Sequence, residues 1–245
     1  MRAEVGLLTR NVKYQGDPET SPDNQYGAVI IMHSPGDETT TARIENIELY
    51  NVGQAFILGS YPIHFHMVGR VTQSYVRNNA VLHSYNRGTT IHGVKYLRVE
   101  RNCYWDIMGH AVFVEDAAET KNVIAYNVVA GTKRSFSMLN TDTTPGAFWI
   151  THPDNIVIGN RAAGSTNYGF WMDYQDTAIG ASYNPRIKPI FAKLGIFRDN
   201  VAHSVGHYGL RVHHGHQPPE LVWYEDHLSY QCGKIGVIGM NYGLV

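Results

Sequence analysis

Four places in this chain combine residue types that can do chemistry. "YPIHFHMVGR" sets His64 and His66 one residue apart, between Ile63 and Phe65. "TTIHGV" holds His92, "VEDAAE" holds Glu115, Asp116 and Glu119, and "GLRVHHGH" holds Arg211 with His213, His214 and His216. Histidines at i and i+2 fall on one face of a β-strand. With His92 and Glu115 they present donors of the kind a transition metal takes. No Cys or carboxylate motif reinforces that spacing, so a glycan-contacting site is favoured over a permanent metal site. Glycan cleavage is the second chemistry. A hydrolase needs two carboxyls in opposed roles, one kept protonated. A lyase needs a base beside a uronate carboxylate and a cation that neutralises it. His64 or His92 would be the base; Arg211, or a Ca²⁺ held by Glu115 and Asp173, would be the neutraliser. Asp116 and Glu119 read more simply as residues that cap and turn a corner. The sequence has no Gly-x-Ser-x-Gly elbow and no phosphate-binding glycine loop, and Cys103 reads as a buried thiol.

Composition narrows the class. The 245 residues carry a net charge of -1 with histidine neutral, so no basic footprint points to nucleic acid. No apolar run reaches the length of a membrane span. The two cysteines, Cys103 and Cys232, cannot build a disulfide framework. The 24 glycines and 16 tyrosines, together with abundant asparagine, suit a β-rich protein with many tight turns.

The elements that must position these residues repeat along the chain. "IENIELYN", "SYVRNN", "LRVERN", "NVIAYN", "NIVIGN" and "GIFRDN" are short alternating apolar runs that close on Asn51, Asn79, Asn102, Asn127, Asn160 and Asn200. Most are followed by a second apolar strand opened by glycine, as in "GTTIHGV", "GHAVFVED", "GAFWITH", "GFWMDY" and "GLRVHH". Two strands per repeat of roughly 22–28 residues predict an all-β, right-handed parallel β-helix, a solenoid whose coils bury their apolar sides by stacking. Asparagine tolerates a left-handed corner, and its amide can bond to the same residue one coil away. Residues 132–145 and 175–193 break the repeat and are expected as loops within a single β-helix domain over 1–245. Both ends read as mid-coil, which predicts a segment of a longer protein.

Superposing the glycine-started strands puts Ile63, Ile91, Val112, Phe148, Phe170 and Leu210 in one inward row. The next position, His64, His92, Phe113, Trp149, Trp171 and Arg211, then points outward. Two residues on, His66, Val94, Glu115, Thr151, Asp173 and His213 also point outward. Parallel strands lie about 4.8 Å apart, so these rows are neighbours on one flat face. That face predicts His92 beside His64, Glu115 one coil further, and Trp149 and Trp171 as a platform for sugar rings.

"RAEVGLLTRNV", "YPIHFHMVG", "SYVRNNAVLHSYNRGTTIHGVKYLRVERN", "MGHAVFVEDAAETKN", "FWITHPDNIVIGNRAAGSTNYGFW" and "VAHSVGHYGLRV", in this order, resemble the β-helix region of the fibrocystin-L family. That family is in turn similar to the cell-surface transmembrane hyaluronidase and the cell-migration-inducing hyaluronan-binding protein. The resemblance implies a parallel β-helix, an extracellular or cell-surface location, and an eight-glycine module upstream of this segment. Fibrocystin-L-like members are large surface receptors, whereas the hyaluronidase-like members bind and degrade hyaluronan with calcium as a requirement. The short "SMLNTDTTPGAFW" is closer to the former; "HYGLRVHHGHQPP" departs from both. The expected function is a glycan-binding or structural scaffold, with a hyaluronan-degrading hydrolase or lyase as the alternative. Its partner would be a polysaccharide such as hyaluronan, or neighbouring extracellular protein segments. Candidate catalytic residues are His64, His92 and Glu115. Candidate ligand contacts are His66, Trp149, Trp171, Asp173 and Arg211. No residue is assigned to a metal, and calcium is the one cofactor to consider.

Overall fold

The computed structural model describes residues 3–136 and 140–239. The alternating runs form short strands that sort into three sheets, of eight, eight and seven strands. One coil shows the path. The chain runs through Ile63–Arg70 in the second sheet, Tyr75–Arg77 in the third and Ala80–Ser84 in the first. It then enters the second sheet again at Thr89–Lys95. Neighbours in each sheet are one coil apart and pair in parallel. The fold is the expected parallel β-helix, with three strands per coil rather than two. The extra strand comes from the asparagine-ending runs. "RIENIELYNV" is two strands, Arg43–Glu45 and Ile47–Val52, separated by a corner at Asn46 with φ +57°.

Five of the six closing asparagines occupy one corner. The side-chain amide of Asn79 donates to Asn102 Oδ1 at 3.1 Å, Asn102 to Asn127 at 3.0 Å, Asn127 to Asn160 at 3.0 Å, and Asn160 to Asn200 at 3.1 Å. All five are buried. The left-handed conformation belongs to the residue before each: Asn78, Arg101, Tyr126, Gly159 and Asp199. The asparagine itself satisfies the backbone that the corner leaves unpaired. Asn51 departs from expectation. It lies inside its strand at φ +52°, opposite His83 at a different corner. In its coil the ladder position is Ile47, whose N–H donates to Asn79 Oδ1 at 3.1 Å.

The second sheet carries the candidate residues. Its strands are β1 (Ile30–His33), β2 (Ile63–Arg70), β3 (Thr89–Lys95), β4 (Val112–Val114), β5 (Gly146–Ile150), β6 (Tyr168–Asp173), β7 (Tyr208–His213) and β8 (Ile235–Gly239). All six residues of the expected inward row are buried in the main core. Burial of each large side chain contributes about 1.5–3 kcal/mol. The row itself needs one correction. Thr89, not Ile91, pairs with Ile63, and Ile91 pairs with Phe65. A threonine can hold a core position here because its hydroxyl hydrogen-bonds the Tyr104 hydroxyl inside the solenoid, at 2.8 Å.

Two excursions leave the stack. The strand Val128–Lys133 takes up the start of the expected 132–145 loop, and a 3₁₀ turn follows at Asn140–Thr143. Residues 137–139 lie outside the described residues. Between Asp173 and Ile196 the chain has two 3₁₀ turns, Gly180–Ser182 and Pro189–Phe191, and no strand. Both excursions fold back over the outer face of the second sheet. Among the described residues no helix is long and apolar enough to cross a membrane.

Candidate functional site

The outward side chains of the second sheet form two columns. One holds Ile31, His64, Thr90, Phe113, Trp149, Trp171 and Arg211. The other holds His33, His66 and His92, and continues through Glu115, Thr151 and Asp173 to His213. His92 therefore pairs with His66, not with His64, and Val94 lies in the core. The pairing follows from Thr89 taking the inward place expected for Ile91; Val94 turns inward because alternation breaks at Gly93, φ +62°, where the register with the neighbouring strand shifts. The three imidazoles still gather. The His64 and His92 rings stack at 5.9 Å, and the His66 and His92 Nδ1 atoms lie 3.1 Å apart.

Two of the rings, His64 and His92, are held from behind. His64 Nδ1 donates to the carbonyl of Gly59 at 2.8 Å, and a carbonyl can only accept, so that nitrogen carries the proton. His64 is buried, which pulls its pKa down to about 3 and keeps the ring neutral. His92 Nε2 donates to Asp116 Oδ2 at 2.7 Å. Burial works against a charged His92, but Asp116 and Glu115 outweigh it and raise its pKa. Asp116 also accepts the N–H of Ser182 at 2.9 Å, from the second excursion. Burial opposes ionisation of Asp116, yet these hydrogen bonds hold it below the usual carboxylate range. Glu115 Oε2 lies 3.3 Å from His92 Nδ1, and burial raises the Glu115 pKa. Glu119 turns the corner as expected: its carboxylate accepts the N–H groups of Gly93, Asp116 and Ala118. Burial lifts its pKa to about 7.

A buried ion network beside this cluster was not legible in the sequence. Arg87 is fully buried and donates to both carboxylate oxygens of Asp142 at 3.1 Å. Its guanidinium also lies 3.7 Å from Glu115, and over the Phe113 ring at 3.9 Å. His110 Nδ1 accepts the N–H of Gly146 at 3.0 Å, and burial pulls the His110 pKa down to about 3. The one local signal was the "NRG" turn, which puts Arg87 at φ +59°. Nothing in the chain announces a partner 55 residues away.

The tryptophans point away from the solenoid core but are not an open platform. Trp149 and Trp171 stack at 5.2 Å in a separate cluster with Phe113 and Tyr168, and are only 4% and 6% exposed. What remains accessible is polar: His66, Glu115, Arg211 and His213 are half-buried, and His33 and His214 are exposed. Arg211 lies 5.0 Å from both the Trp171 and Tyr208 rings. Thr151 stands between Glu115 and Asp173, which puts their backbones about 10 Å apart at a 4.8 Å strand spacing. Asp173 instead faces His214 at 3.4 Å and accepts from Gln175 at 2.7 Å, and burial raises its pKa.

Known proteins are similar to this chain in sequence. The family model of the CEMIP β-helix matches residues 25–210. The chain belongs to the CEMIP β-helix family. Mouse (Mus musculus) fibrocystin-L is 39% identical over 86% of this chain and 6% of its own length. Human (Homo sapiens) fibrocystin-L is 38% identical over the same shares. The human protein named cell surface hyaluronidase CEMIP2 is 33% identical over 88% of this chain and 18% of its own length. The chain thus spans a small part of each of these relatives, the part that holds the family's β-helix. The resemblance read from the ordered motifs is confirmed.

Proposed function

We propose that this β-helix binds an acidic polysaccharide, with hyaluronan the leading candidate, as part of an extracellular or cell-surface protein. The observation that carries this reading is the outward column His33, His66, His92, Glu115, Thr151, Asp173 and His213. Its ends, His33 and His213, lie six strand spacings or about 29 Å apart, and its accessible members, His33, His66, Glu115 and His213, offer polar contacts along that length, while His92, Thr151 and Asp173 are buried behind them. Burial raises the pKa of Glu115 and Asp173, which lessens their repulsion of a uronate. Arg211, over its two aromatic rings, supplies a cation beside the track.

One observation favours a second reading, cleavage of the bound chain. Glu115 is partly accessible, has its pKa raised by burial, and lies 3.3 Å from His92. A carboxyl in that state is suited to protonate a leaving glycosidic oxygen. The relative named cell surface hyaluronidase supports the same reading. Size-defined hyaluronan incubated with the chain, with and without Ca²⁺, separates the cases. Retention that weakens at least tenfold in Arg211→Ala, without shortening, supports binding. Shortened products that vanish in Glu115→Gln support cleavage. Neither retention nor shortening overturns the proposal in favour of a structural spacer.

A further inference from the structure

The three imidazoles are arranged with a ring nitrogen of each turned toward the others. With its proton on Nδ1, His64 turns Nε2 inward, and that atom is buried with no hydrogen-bond partner. With Nε2 committed to Asp116, His92 turns Nδ1 toward His66 Nδ1. Glu115 Oε2 closes the group; it too is buried and accepts no hydrogen bond. Two buried, unpaired acceptors in one cluster are costly unless something binds them. Three donor nitrogens, one from each ring, lie within 4.8 Å of one another.

We propose that His64, His66, His92 and Glu115 bind one divalent transition-metal ion of the zinc class. Imidazole and carboxylate bind such ions at about 2.0–2.2 Å, which sets the edge of a tetrahedron at about 3.3 Å. The His66–His92 separation of 3.1 Å and the His92–Glu115 separation of 3.3 Å match that edge. Calcium does not fit, because it takes six to eight oxygens at longer distances. The outer contacts are those a metal site needs. The Gly59 carbonyl orients His64 and the Asp116 carboxylate orients His92, each bonded to the ring nitrogen that faces away from the ion. A second group, Asp173, His213 and His214, is more open, and the Nδ1 of His213 faces the Arg211 guanidinium rather than a carbonyl or carboxylate.

The inference shares His66, His92 and Glu115 with the polysaccharide reading but does not rest on it, since metal binding and glycan retention are measured separately. The full chain is stripped with a chelator, checked for folding by circular dichroism, and titrated calorimetrically with Zn²⁺ and with Ca²⁺. Co²⁺ is added in parallel, because its visible spectrum reports nitrogen ligation in a tetrahedral site. One equivalent of Zn²⁺ should bind at this site and no Ca²⁺ should. His66→Ala, at a half-exposed ring, should abolish Zn²⁺ binding, with His66→Asn as the second variant should the first not fold. Asp116→Asn should weaken binding about 10–100-fold. His213→Ala should leave it unchanged. A folded wild-type chain that takes up no Zn²⁺ overturns the proposal. So does unchanged affinity in a folded His66 variant, or loss of binding in His213→Ala alone.

Discussion

Two outer faces of the same solenoid carry charge and treat it in opposite ways. On the third sheet Arg98 pairs with Glu100 at 3.1 Å and Arg77 with Glu45 at 2.7 Å, and the Arg98 side chain is 53% exposed. On the second sheet Arg87 and Asp142 pair at 3.1 Å with side chains 1% and 3% exposed. Strand alternation and coil stacking are alike on both faces. The difference lies in what covers them. The segment around Asp142 and the segment 174–195 fold back over the second sheet, where they supply Asp142 to Arg87 and the Ser182 N–H to Asp116. For Arg87 and Asp142 burial is therefore decided by an excursion from the coils, whereas Glu48 and Glu100 are buried within their own strands. Water screens the pairs on the third sheet. On the covered face each group depends on its particular partner.

Acid should expose that contrast most strongly. His64 and His110 both have pKa values pulled down to about 3 by burial. The unfolded chain protonates them near 6.5, while the folded chain keeps them neutral. Their contribution is therefore complete above pH 6.5 and is lost as pH falls from there toward 3. Each ring costs about 1.4 kcal/mol per pH unit, so at pH 4.5 the two together remove roughly 5 kcal/mol. Urea midpoints of the chelator-treated chain at pH 7.5 and 4.5 measure this. Equal midpoints would mean that the covered face is not sealed. Removing the central cation comes next. Arg87→Ala leaves Asp142 and Glu115 without their guanidinium and should cost about 3–5 kcal/mol in urea unfolding. A loss below about 1 kcal/mol would put this network on a par with the surface pairs. The smallest effect belongs to the open face. Arg98→Ala should change stability by no more than about 0.5 kcal/mol, and a larger loss would erase the distinction between the faces.

The period of the coils, the ladder from Asn79 to Asn200 and the common face of His64 and His66 were all legible in the chain. Each rests on local rules: alternation along a strand, and a corner that recurs at the same place in each coil. Because pairing in a solenoid links neighbouring coils in register, the row Glu115, Thr151, Asp173 and His213 could be read in the same way. The exception shows where such reading ends. The superposed row set Ile91 beside Ile63, but Thr89 takes that place, its hydroxyl satisfied by Tyr104, and this moves His92 from His64 to His66.

Local sequence thus determined which residues face outward and how the coils repeat. Tertiary structure decided which of them meet, which are sealed from water and which nitrogen of each histidine is free. Those outcomes depend on contacts across long stretches of chain, such as Arg87 with Asp142 and Asp116 with Ser182. Closing a loop of that length depends only weakly on the residues within it, so the sequence between the partners carries no mark of where it will land.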